Sequence, residues 1–161
     1  MARIFTKEML KSCVRLTTDC LPKYFNVTGA FYLEDFLYIN NLYGAVKFEN
    51  ISKDKEKEIK FICGENKADC LWKFLELFKL IENKELYPEC RMLDFSLRDI
   101  RKVATGKDFN IQYNKDYLLR IAKCIDNKNI KVCFPTQYKK PIFIYGQFGV
   151  GLLMPIRLTI R

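Results

Sequence analysis

The chain has 161 residues, no histidine and a formal net charge of +9. Without histidine the commonest general base, the Ser-His and Cys-His nucleophile pairs and most zinc sites are gone, which counts against an enzyme while leaving Lys, Cys or carboxylate catalysis open; no catalytic residue, cofactor or metal is expected. Its apolar content of 49%, with 14% aromatic residues, excludes a disordered chain, and the positive charge favours a polyanionic partner.

Seven cysteines, at positions 13, 20, 63, 70, 90, 124 and 133, show no CxxC spacing and fall mostly within apolar patterns, as small buried thiols do. The opening "MARIFTKEML" has no long apolar stretch, and no run reaches membrane-spanning length. A cytoplasmic protein without membrane contact is therefore expected.

In chain order, residues 6–20 read as a helix capped by Thr6. Met9, Cys13, Leu16 and Cys20 share one face, and Lys7, Lys11 and Arg15 lie nearly opposite. Pro22 stops it. "VTGAFYL" and "FLYIN" are β-rich runs separated by a tight turn at Glu34-Asp35, "NNLYG" is the next turn, and "AVKFENI" is a third strand. The mixed-charge "SKDKEKEIKF" reads as a solvated loop or an edge strand.

"NKADCLWKFLELFKLIENK" carries the strongest helical periodicity, with Leu71, Phe74, Leu75, Leu77, Phe78 and Ile81 on one arc. A short helix follows at "SLRDIRKVATG", where Ser96 and Asp99 form a pair resembling a capping box. "FNIQY" is a strand, and "NKDYLLRIAKCID" is a helix capped by Asn114 whose polar arc carries Lys115, Arg120 and Lys123, interrupted by Leu119. "NIKVCFP", "KPIFIYG" and "GLLMPIRLTI" are strands, with Gly146–Gly151 read as the intervening turn.

A helix followed by three strands thus occurs twice, about 110 residues apart, with residues 63–107 inserted between the copies. The expected class is α+β: one domain with halves at about 4–60 and 107–160. Two stripes of cations, Lys7, Lys11 and Arg15 on the first helix and Lys115, Arg120 and Lys123 on the other, are either a phosphate-facing surface or ordinary solvated helix faces.

Three passages, "FNIQYNKDYLLRIAKCIDNKNIKVCF", "LLMPIRL" and "FNVTGAFYLEDFLYINN", resemble one domain of the DNA sliding clamps, the bacterial DNA polymerase III β-subunit family, and are closest to its carboxyl-terminal domain. The resemblance implies a ring of such domains around duplex DNA. Basic helices line the hole and touch phosphates without reading bases, so that a polymerase is kept processive. It also implies an apolar groove for short linear motifs of replication proteins, which by the terminal motif would involve Leu152, Leu153, Met154, Pro155, Ile156, Arg157 and Leu158.

Clamp chains of the family carry two or three domains. A chain with one would close a ring only as a homo-oligomer, six copies by family geometry, and a neighbouring copy would complete the groove. The competing expectation is an adaptor that keeps the fold and binds a replication protein without forming a ring. An enzyme on an unrelated fold would need a Lys or Cys nucleophile, and no supporting pair of residues stands out.

Overall fold

The computed structural model of the chain describes residues 4–18, 28–41, 43–64, 76, 78, 79, 91–100, 113–134 and 141–155. Helix α1 spans Lys7–Thr18. Thr6 Oγ1 accepts the Met9 N–H at 3.2 Å, the expected cap. Met9, Cys13 and Leu16 are buried on its inner face.

Strands β1 (Gly29–Leu33) and β2 (Phe36–Asn40) form the expected hairpin. Glu34 and Asp35 both take left-handed backbone angles, φ 49° and 70°. This pattern belongs to the two-residue turn whose twist matches the flanking strands. In the next turn Asn41 Oδ1 accepts the N–H groups of Tyr43 and Gly44, both at 2.8 Å, and β3 (Gly44–Phe48) follows.

Residues 53–63 are a helix, α2 (Lys53–Cys63), and not the loop or edge strand expected from their charge. Ser52 caps it through the Lys55 N–H, and Lys53–Glu56 and Lys55–Glu58 are paired one turn apart. It docks by Ile59 and by Glu56, a buried carboxylate that accepts the Tyr32 hydroxyl at 3.3 Å.

Strand β4 (Arg91–Ser96) was not anticipated. It lies within the inserted stretch and pairs antiparallel with β5 (Asn129–Phe134). The Ser96–Asp99 pair forms as expected: Ser96 Oγ accepts the Asp99 N–H and donates to Asp99 Oδ2 at 2.8 Å. Helix α3 (Lys115–Ile125) begins at Asn114, whose Oδ1 accepts the N–H groups of Asp116 and Tyr117. Replacing Asn114 by alanine is expected to cost about 1 kcal/mol, read as a lower urea midpoint at unchanged slope.

Strands β6 (Ile142–Gly146) and β7 (Gly149–Leu153) close the chain order. Their connection is the two residues Gln147-Phe148, because Gly146 already pairs with Gly149. The last strand therefore starts at Gly149, within the stretch expected to be a turn, and ends at Leu153. The expected helix at 66–84, apart from Glu76, Phe78 and Lys79, the expected strand at 109–113, apart from Tyr113, which is not in a strand, and the end of the short helix at 101–106 lie outside the described residues.

The seven strands make one sheet in the order β1-β2-β3-β7-β6-β5-β4, every described pairing antiparallel. Its middle is symmetric. α1 precedes the meander β1-β2-β3, α3 precedes the meander β5-β6-β7, and the two meanders join where β3 pairs antiparallel with β7. α1 and α3 pack against each other on one face of the sheet, α3 seated over β3, β6 and β7.

The period-2 alternation of strands splits the apolar residues between two cores. Leu37, Ile39, Val46, Ile130, Val132, Ile144 and Leu153 face the helices, while Phe31, Tyr38, Phe143 and Leu152 face the other way with Phe78. With both faces covered, the central strands read as continuous apolar runs. Phe78, from the inserted stretch, is buried and meets the Tyr38 ring edge-on at 5.6 Å. Phe5 ties the halves together, its ring edge-on to both Phe48 and Phe148.

Among the described residues no helix is long and apolar enough to cross a membrane. Cys13, Cys63 and Cys124 are free thiols. Cys133 is disulfide-bonded, which its apolar surroundings in the sequence did not reveal.

Candidate functional site

α1 and α3 lie side by side, and a cleft of about 430 Å³ opens between α1 and the carboxyl-terminal end of α3, with Leu97 also lining it. Lys11 and Arg15 enter it from α1 and Lys123 from the last turn of α3. All three are exposed. The ion pairs Lys47–Glu49, Lys53–Glu56 and Lys55–Glu58 lie elsewhere and involve none of these three cations.

Two acids share the cleft, Glu8 and Asp126. Asp126 is buried, and its carboxylate accepts the backbone N–H groups of Asn127, Lys128 and Gln147 at 2.8–3.0 Å. Its charge is therefore held by the backbone, fastening the end of α3 to the β6–β7 turn. The cleft is left cationic, with Ser12 and Thr6 as neutral hydrogen-bonding groups along one wall.

The other expected cations sit differently. Lys7 is exposed on α1, one turn before Lys11. Arg120 is half-buried, with its guanidinium 5.7 Å from the Tyr117 ring centre, outside the cleft. Lys115 opens α3, and its side chain lies outside the described residues.

Arg120 belongs with a second feature at the end of β7. Tyr43 and Tyr117 stack at 5.2 Å with 19° between their planes. Together with Asn114, Leu153 and Met154 they line a pocket of about 200 Å³. Met154 is fixed there by its N–H, which donates to the Tyr43 carbonyl at 2.8 Å.

Of the expected groove residues, Leu152 and Leu153 are buried on opposite faces of the sheet, Met154 and Pro155 are half-buried, and Ile156, Arg157 and Leu158 lie outside the described residues. The two tyrosines were missed in the sequence. They are 74 positions apart and meet only because β3 pairs with β7 beneath α3.

Burial pushes the thiols up. Cys13 is raised first by burial and then by its contact with Cys124. Cys63 is raised to about 12, first by burial and then by the neighbouring Cys13. Burial alone raises the Tyr113 phenol to about 12. Each group is neutral when protonated, so folding favours the protonated form.

Stability from these groups is thus complete below the unfolded values, 9.0 for the thiol and 10.0 for the phenol. It is lost as pH rises toward the folded values. The urea midpoint is expected to hold up to about pH 9 and to fall steadily between about pH 9 and 12. A flat midpoint across that window would contradict the burial of these groups.

Among the described residues no group of His, Cys, Asp and Glu could hold a metal ion. The chain matches no family model, no curated protein and no solved structure.

Proposed function

We propose that the chain is a non-catalytic, sliding-clamp-like DNA-binding protein. Its α1–α3 face takes up the backbone phosphates of duplex DNA without reading bases. The end of β7 docks short linear segments of replication proteins, and several copies assembled as a ring serve as a processivity factor. The observation that carries this reading is the convergence of Lys11, Arg15 and Lys123 on one cleft. Unpaired cations fixed on helices neutralise phosphates and release counterions, giving sequence-independent, salt-sensitive affinity.

The pocket at Tyr43, Tyr117 and Met154 supports the second half. Aromatic walls and a flexible thioether suit varied apolar anchors of a linear peptide.

The test is retention on circular duplex DNA at moderate salt. A ring predicts that the protein stays bound and is released when the circle is cut. Retention indifferent to cutting would remove the ring, and absence of binding at low salt would remove the DNA reading altogether.

A second reading, an adaptor that binds a replication protein without encircling DNA, has one observation in its favour. The outward N–H of Ala30 on β1 donates to the Gly64 carbonyl at 2.7 Å. A sheet continued across a subunit seam needs such edge groups free. This reading predicts a monomer or dimer by mass, with and without DNA.

A further inference from the structure

We propose that the β1 edge and the last turn of α2 together form the seat of a second copy of this chain, in a dimer with two-fold symmetry. Six large apolar side chains are exposed among the described residues, and three of them, Tyr32 on β1 with Phe61 and Ile62 at the end of α2, lie together on the helix side of this sheet edge. Phe61 is 88% exposed. These two elements are one rigid surface. Gly64 accepts the Ala30 N–H at 2.7 Å, Glu56 accepts the Tyr32 hydroxyl, and the Lys60 ammonium lies 5.0 Å from the Tyr32 ring centre. A grouped apolar surface on an otherwise charged chain marks a docking site.

The charges identify the occupant. Glu34 and Asp35, both exposed, stand at the hairpin tip beyond Tyr32, held there by their left-handed backbone. At the other end Lys57 and Lys60, one helical turn apart, flank Phe61 along a groove of about 330 Å³. One surface therefore has an acidic end and a basic end. An acidic partner would meet the lysines and be repelled by the tip, and a basic partner the reverse.

A second copy turned about a two-fold axis sets acid on base at both ends, because each patch meets its counterpart in such an interface. Two chains of +9 repel at long range, and this crossing is the arrangement in which contact charges oppose that repulsion. Because Gly64 closes the strand edge at Ala30, side chains form the seam and a backbone ladder does not. This seam lies apart from the cationic cleft, since Lys11, Arg15 and Lys123 lie on other helices.

Sedimentation velocity of the full chain, from micromolar to hundreds of micromolar, tests it. The wild type is expected to pass reversibly from monomer to dimer, with a dissociation constant raised by salt. Glu34→Lys with Asp35→Asn, and separately Lys57→Glu with Lys60→Gln, are each expected to weaken self-association at least tenfold. An equimolar mixture of the two variants is expected to restore dimers, because each then supplies the sign the other needs. Phe61→Ser, at an exposed site, is expected to weaken dimers at least tenfold while the melting temperature of the monomer is retained. A wild type that is monomeric throughout, variants that associate as the wild type does, or a mixture that stays monomeric would each overturn the proposal. Circular-DNA retention measured on the same variants separates its failure from failure of the DNA reading.

Discussion

Replacing Lys11, Arg15 and Lys123 together by alanine is expected to lower affinity for a duplex of random sequence by roughly two orders of magnitude at about 0.1 M salt. Each phosphate neutralised contributes about 0.9 to the slope of log K against log salt, so three contacts account for roughly 2.7 of it. The variant should show both the weaker binding and the shallower slope, equally for every sequence, because phosphate contacts carry no base information.

The control has the same charge in other places. Lys53, Lys79 and Lys131 are exposed and do not line the cleft. Replacing them also takes the net charge from +9 to +6. If bulk charge held the DNA, the two triple variants would lose affinity alike. If the cleft holds it, the control should keep most of the slope. Equal losses, or a slope that does not change in the cleft variant, would sink the assignment of this face to phosphates.

The contrast between helices α1 and α2 shows what the sequence could convey. α1 was legible because it announces itself twice, by the Thr6 cap and by Met9, Cys13 and Leu16 recurring on one face. α2 hides its docking face. Only Ile59 and Glu56 are buried, and a carboxylate that seats itself by accepting a tyrosine hydroxyl looks like one more solvated charge in "KDKEKEIK". The Glu34-Asp35 hairpin was read from local turn chemistry. β4 could not be, because its claim to be a strand is a pairing with β5, some 38 residues on.

The site divides in the same way. The cationic stripe on α1 is local information, since side chains three and four apart share a helix face. That Lys123 joins Lys11 and Arg15 while Arg120 turns to Tyr117 depends on how α3 sits on the sheet. That seating is set by glycines which, read alone, looked like a turn.

Gly151→Val is accordingly expected to destabilise the fold by about 3 kcal/mol, through overpacking. Gly151 lies at the centre of the sheet, opposite Val46 on β3 and Ile144 on β6. A Cβ there would overlap Ile121 Cγ2 on α3. Gly44, on the neighbouring strand, completes the seat, since a Cβ at that position would lie 2.8 Å from Ile121 Cδ1 and 2.7 Å from the Leu152 carbonyl oxygen. Ile121 is fully buried, so it has nowhere to move except by lifting α3.

The mechanism makes a second, sharper expectation. Gly151→Ala and Ile121→Ala should each destabilise the protein, the first by crowding and the second by leaving a cavity, at about 2–5 kcal/mol for the latter. Combined, the new methyl group partly fills the space vacated by the isoleucine. The double variant should therefore lose about 1–3 kcal/mol less than the two single costs added together. Strict additivity in urea unfolding would mean that Gly151 is not the floor on which Ile121 rests. The same lift of α3 displaces Lys123 from Lys11 and Arg15 without altering any charge. Gly151→Ala should thus weaken DNA binding and shallow its salt slope while the protein remains folded, and Ile121→Ala in the double variant should recover part of both.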